Sequence, residues 1–147
     1  MRAHRTCRTR RFPEGSGASV WVVDNHTVLV VEDDPVILKL LEVNFQMEGF
    51  DVVTAGDGEE GFERARSDQP AVIVSDIMMP KIDGLELVHR LKADPDTAGI
   101  PVILLSAKAQ ASDVRKGIEI GADDYITKPF EPLELVERVH KLLSRDR

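Results

Sequence analysis

Four short apolar runs end in groups that can do chemistry. Glu32, Asp33 and Asp34 follow Val28 to Val31, Asp76 follows Ala71 to Ser75, Ser106 follows Val102 to Leu105, and Lys128 follows Tyr125 to Thr127. If these runs are parallel strands of one sheet, all the polar groups project from its carboxyl edge. Open α/β sheets bind ligands at that edge, at the switch point between the first and third strands. Two carboxylates about 4 Å apart repel by about 4 kcal/mol at an effective dielectric of 20, so the convergence needs a positive partner. A hard divalent cation suits an all-oxygen site. Mg²⁺ in particular uses few carboxylates, keeps several waters and leaves room for a phosphate oxygen. Lys128 supplies a second, fixed positive charge.

Each group also has a plainer reading. Asp34 before Pro35 reads as a helix cap, and that reading is preferred. Asp76 precedes Ile77-Met78-Met79-Pro80, an apolar loop that a solvated turn would not choose. Lys128 alone would be a surface lysine, but Pro129 and Phe130 set an unusual turn after a strand expected to end beside Asp76.

The elements that must position these groups follow from periodicity. Val28 to Val31, Val52 to Ala55, Ala71 to Ser75, Val102 to Leu105 and Tyr125 to Thr127 read as strands, several apolar throughout as both-face burial requires. Between them lie helices. The first starts at Pro35, carries Val36, Leu40, Val43 and Met47 on one stripe, and stops at Gly49. The others run from about 58 to 66, 84 to 92, 112 to 120 and 132 to 143, the last with Leu135, Val139 and Leu142 on an apolar face. Alternating units of this size predict a doubly wound α/β fold: a five-stranded parallel sheet, order 2-1-3-4-5, with helices on both faces.

The 147 residues suit one domain with an appendage. Residues 1–26 carry five arginines against Glu14 and Asp24, a net of +3, so the chain's −7 leaves −10 for residues 27–147. Residues 1–19 lack hydrophobic periodicity and read as a disordered tail. Val20 to Val23 resembles a hairpin arm, but the strand that follows already has neighbours on both sides, so this arm is expected to be loose or packed elsewhere. The acidic body argues against binding duplex DNA. Cys7 has no intrachain partner, and no apolar run approaches the roughly 18 residues of a membrane span. A cytoplasmic location is the expectation.

Taken together, the motifs resemble the receiver domain of bacterial two-component response regulators, a flavodoxin-like, chemotaxis-regulator-like fold. The resemblance runs from about Thr27 to Ser144. It rests on Val30-Val31-Glu32-Asp33-Asp34, Ser75-Asp76-Ile77-Met78-Met79-Pro80 with Asp83-Gly84, Leu105-Ser106-Ala107, and Gly121-Ala122-Asp123-Asp124-Tyr125 through Lys128-Pro129-Phe130. It implies that Asp76 takes a phosphoryl group from a phosphohistidine on a sensor histidine kinase or phosphotransfer protein. It further implies Mg²⁺ held by Asp33, Asp76 and the backbone carbonyl of Met78, with Glu32 acting through a water. Lys128 and Ser106 would engage the phosphoryl oxygens, and Tyr125 would turn inward beside small Ala107 as a rotamer switch. Met78 and Lys108 would flank the path of attacking water and set the phosphoryl lifetime; slow hydrolysis is expected.

The resemblance places the readout on helix 4, strand 5 and helix 5, where Arg115, Asp123, Asp124 and Arg138 offer charges for a downstream protein target or a phosphorylation-dependent homodimer. With the chain ending at Arg147, the output is expected to lie in another protein. One rival is a phosphorylation-independent binding module. Another is a Mg²⁺-dependent aspartyl-phosphate phosphohydrolase, but Met78 stands where such enzymes carry a general acid and offers no transferable proton.

Overall fold

The computed structural model describes residues 9–11, 21–23, 26–79, 81–107 and 111–145. In chain order the elements are β1 (Thr9–Arg11), β2 (Trp21–Val23), β3 (Thr27–Val31), α1 (Pro35–Met47), β4 (Asp51–Ala55), α2 (Gly58–Asp68), β5 (Val72–Asp76), α3 (Gly84–Ala93), β6 (Val102–Ser106), α4 (Ala111–Glu119), β7 (Asp124–Thr127) and α5 (Pro132–Arg145). The main sheet has the order β4-β3-β5-β6-β7 and every pair is parallel. This is the expected doubly wound arrangement.

Alternation along the central strands splits the core in two. Leu29, Val31, Ile73 and Leu104 pack with Leu87, Val88 and Leu91 of α3. Val28, Val30, Val74, Ile103 and Leu105 pack with Leu41 and Phe45 of α1 and Leu135 and Val139 of α5. Each fully buried leucine or valine contributes about 1.5–3 kcal/mol relative to exposure. β3, β5 and β6 are buried at every position, so the residues at their carboxyl ends sit on a rigid frame.

The helix starts are capped as their sequences demand. Asp34 Oδ1 accepts from the Val36 N–H at 2.9 Å, Asp57 Oδ1 from Glu60 at 2.9 Å and Asp83 Oδ1 from Glu86 at 2.8 Å. Past the end of α1, Gly49 adopts φ +94°, a left-handed conformation that glycine enters freely.

Two expectations require correction. The stripe Val36, Leu40, Val43 and Met47 does not face the core: Val36 is 76% and Met47 77% exposed, and the other two are exposed as well. α1 carries a second apolar stripe, Ile37, Leu38, Leu41 and Phe45, and it is this one that packs. The aromatic ring decides the choice, because Phe45 is fully buried and meets Phe50 edge-on at 5.7 Å. The second correction concerns the N-terminal segment. Thr9–Arg11 pairs antiparallel with Trp21–Val23 in a separate two-stranded sheet, so those six residues are not without regular structure. As expected, this arm does not join the main sheet.

Candidate functional site

The carboxyl ends of β3 and β5 stand side by side, with Val31 opposite Ser75 in register. This brings carboxylate oxygens of Glu32, Asp33 and Asp76 within 4.8 Å of one another. Glu32 and Asp76 are buried, while Asp33 is exposed. Lys128 reaches this group from the end of β7, its Nζ 3.3 Å from Asp76 Oδ1 and 3.4 Å from Glu32 Oε1. Its backbone is tied to the neighbouring strand, where Lys128 N–H donates to Ser106 O at 2.7 Å. The Lys128-Pro129 peptide is cis.

The electrostatics remain unbalanced. Burial, and then the charge of Asp76, push the Glu32 carboxyl above the usual carboxylate range, while the Asp34 N–H at 3.2 Å and Lys128 pull the other way. Among the described residues, Lys128 meets Glu32 and Asp76, and Asp33 adds a third carboxylate to the group. The donor set is therefore all oxygen, negative and partly open to solvent at Asp33, which fits a hard divalent cation such as Mg²⁺. Asp76 Oδ1 also accepts from the Ile77 N–H at 2.9 Å, a backbone contact that no side-chain motif announces.

The remaining expected residues fall around this centre. Ser106, at the end of β6, is fully buried. Ala107 follows it and is exposed. Tyr125 is buried against Leu104 and α4, where a Cβ on Gly117 would stand 3.2 Å from the ring. Met78 is 62% exposed two residues past Asp76. Lys108 lies outside the described residues. Asp34 is a helix cap, as the plainer reading has it.

On the α4, β7 and α5 face, Arg138 Nη1 donates to both oxygens of Asp124 at 2.8 and 2.7 Å, and Nη2 donates to Glu134 at 3.3 Å. Asp123 is engaged at the opposite edge of the sheet, accepting from the Val102 N–H at 3.0 Å.

A five-stranded parallel sheet with three carboxylates and Lys128 gathered at its switch point is a doubly wound α/β fold with an acidic site at its carboxyl edge. Comparison with known proteins then gives the family. The family model for the response regulator receiver domain matches residues 28–140, and the chain belongs to that family. It is 43% identical over 121 residues to the alkaline phosphatase synthesis transcriptional regulatory protein PhoP of Bacillus subtilis, covering 82% of this chain and 50% of that protein. It is 45% identical over 118 residues to the DNA-binding dual master transcriptional regulator RpaA of Synechocystis, covering 80% of this chain and 49% of that one. The chain thus spans about half the length of the curated relatives it matches. Among solved structures, the receiver domain of the Francisella response regulator 1452 superposes with a TM-score of 0.79 at 37% identity, over 84% of this chain and all of that one. Both of these curated relatives are transcriptional regulators. Among the described residues no helix is long and apolar enough to cross a membrane.

Proposed function

We propose that residues 27–147 form a cytoplasmic, Mg²⁺-dependent phosphoacceptor switch, with residues 1–26 as a basic extension. The observation that carries this reading is the approach of Lys128 Nζ to 3.3 Å from Asp76 Oδ1 beside two further carboxylates. An oxygen of Asp76 forms a bond to phosphorus as the bond from phosphorus to the donor histidine nitrogen breaks, and the imidazole keeps the electron pair. Lys128 balances charge on the oxygens of the moving group, and the Ile77 N–H holds the carboxylate. Asp33, Asp76 and the Met78 carbonyl would hold Mg²⁺, with Glu32 acting through a water, and the bound ion would further neutralise that charge.

Ser106 and Tyr125 are the switch residues in this reading, and small Ala107 leaves room for the movement. An engaged phosphoryl group favours the arrangement in which the Ser106 hydroxyl meets it, which shifts the population at α4, β7 and α5. Arg115, Asp124 and Arg138 remain to face a downstream protein or a second copy, and Arg138 must then exchange its intrachain partner for one across the interface. Met78 and Lys108 set how long the adduct lasts. The donor is a sensor histidine kinase or phosphotransfer protein. The exposed stripe on α1 starts at Val36, four residues past Glu32, and offers such a donor an apolar surface on the helix that follows the acidic cluster.

Intact mass after incubation with acetyl phosphate and Mg²⁺ tests the reading. One phosphoryl adduct is expected, absent with Asp76→Asn and absent with EDTA. No adduct from acetyl phosphate or from a phosphorylated kinase would sink the switch and leave a constitutive binding module.

A further inference from the structure

Ser75 precedes Asp76 in β5 and is fully buried. A hydroxyl inside an apolar strand costs free energy unless it is bonded, and this one donates to the carbonyl oxygen of Asp76 at 2.9 Å. That carbonyl shares a peptide unit with the N–H of Ile77. The same N–H donates to Asp76 Oδ1 at 2.9 Å and to Leu105 O at 3.0 Å. A single peptide group therefore links the Ser75 hydroxyl to the carboxylate of Asp76. The start of α3 presses on this peptide too: a Cβ on Gly84 would stand 2.4 Å from Asp76 O and 2.8 Å from Ile77 Cα, and Gly84 N–H donates to Ile77 O at 2.8 Å.

We propose that Ser75 is a positioning residue for the phosphoacceptor, acting through the Asp76-Ile77 peptide to hold the Asp76 carboxylate in one orientation. The proposal rests on the reading of Asp76 as nucleophile. A hydrogen bond to a carbonyl polarises its peptide and strengthens the bond donated by the N–H of the same unit, by about 10–30% per bond. The Ile77 N–H is divided between Leu105 O and Asp76 Oδ1, so its strength bears directly on the carboxylate. The serine touches neither donor nor phosphoryl group, and the bonds made and broken in transfer are those given above.

Wild type, Ser75→Ala and Ser75→Thr are compared by three readouts: the rate of adduct formation with acetyl phosphate at saturating Mg²⁺, the Mg²⁺ concentration giving half that rate, and the amide resonance of Ile77 without donor or metal. For Ser75→Ala the rate is expected to fall about three- to tenfold. Half-saturating Mg²⁺ is expected to stay within about twofold and the Ile77 amide proton to move upfield, as a weakened hydrogen bond requires. Ser75→Thr restores the hydroxyl and both signals. A wild-type rate in Ser75→Ala, or an Ile77 amide at its wild-type position, overturns the proposal. So does a rate loss that Ser75→Thr leaves uncorrected while the amide is unmoved, which would assign Ser75 to packing alone. Absence of an adduct on the wild type would instead overturn the phosphoacceptor reading, and the Ile77 resonance would still decide whether the hydroxyl governs the carboxylate.

Discussion

At the carboxyl edge of the sheet Lys128 faces Glu32 at 3.4 Å and Asp76 at 3.3 Å with Asp33 close by, whereas at the amino edge Lys92 faces one aspartate, Asp123, at 4.0 Å. The amino-edge lysine also donates to Ala98 O at 3.2 Å and Ile100 O at 2.9 Å, and Asp123 Oδ2 accepts from the Val102 N–H at 3.0 Å. Lys92 there has Asp123 as its partner, and the backbone groups around them are bonded. The carboxyl edge holds the same residue types with a surplus of negative charge. Ordinary structural needs account for the amino edge; at the other, among the described residues, Glu32, Asp33 and Asp76 gather around Lys128, and an added cation or a reacting group would relieve their repulsion.

Removing each lysine should separate the two roles. With Lys128→Met, Glu32 and Asp76 lose their shared counter-charge, and phosphoryl uptake from acetyl phosphate should fall at least about 100-fold. Because both carboxylates are buried, unfolding in denaturant should also show a loss of about 3–5 kcal/mol. Lys92→Met leaves two carbonyls short of a donor at the amino edge and should cost about 1–2 kcal/mol, with uptake within about twofold of wild type. Equal damage to uptake from both substitutions would erase the distinction between the edges.

A cation should sharpen it. Mg²⁺ at about 100 times its Kd adds about 2.7 kcal/mol to a protein that binds it only when folded. Denaturant curves with Mg²⁺ and with EDTA should differ by that order for the wild type. They should nearly coincide for Asp33→Asn, which removes an expected ligand and part of the repulsion together. A similar gain in both proteins would place the cation elsewhere.

Much of this arrangement is legible in the residues themselves. Asp34-Pro35 announces a capped helix, unbroken apolar runs such as Val102 to Leu105 announce strands buried on both faces, and right-handed crossovers then leave few strand orders, of which the expected one is found. Glu32, Asp33 and Asp76 were expected at one switch point, and they meet there. What escaped the reading has physical causes. α1 has two apolar stripes of the same period, and which one is inside depends on tertiary packing, here that of Leu41 and of Phe45 against Phe50. The pairing of Thr9–Arg11 with Trp21–Val23 joins an arginine-bearing run without alternation to an apolar one, so no pattern marks it. Ser75 reads as a polar interruption in a strand, and its use depends on a backbone carbonyl, that of Asp76, which no side-chain pattern reveals.

The smallest expected effect concerns pH at the amino edge. Burial holds the Lys92 ammonium below the ordinary lysine value of 10.5, and the attraction of Asp123 only partly opposes this. The folded chain therefore sheds this proton more readily than the unfolded chain. Where the unfolded state binds more protons, stability rises with pH. In the alkaline window that ends near 10.5, the stability of wild type relative to Lys92→Met should thus increase as pH rises, and denaturant midpoints of the two proteins at a series of pH values measure it. Taking the difference cancels the lysines and the tyrosine common to both proteins. A flat or falling difference would mean that Asp123 outweighs burial, and the matched pair at the amino edge would then be held by its charges instead of its carbonyls.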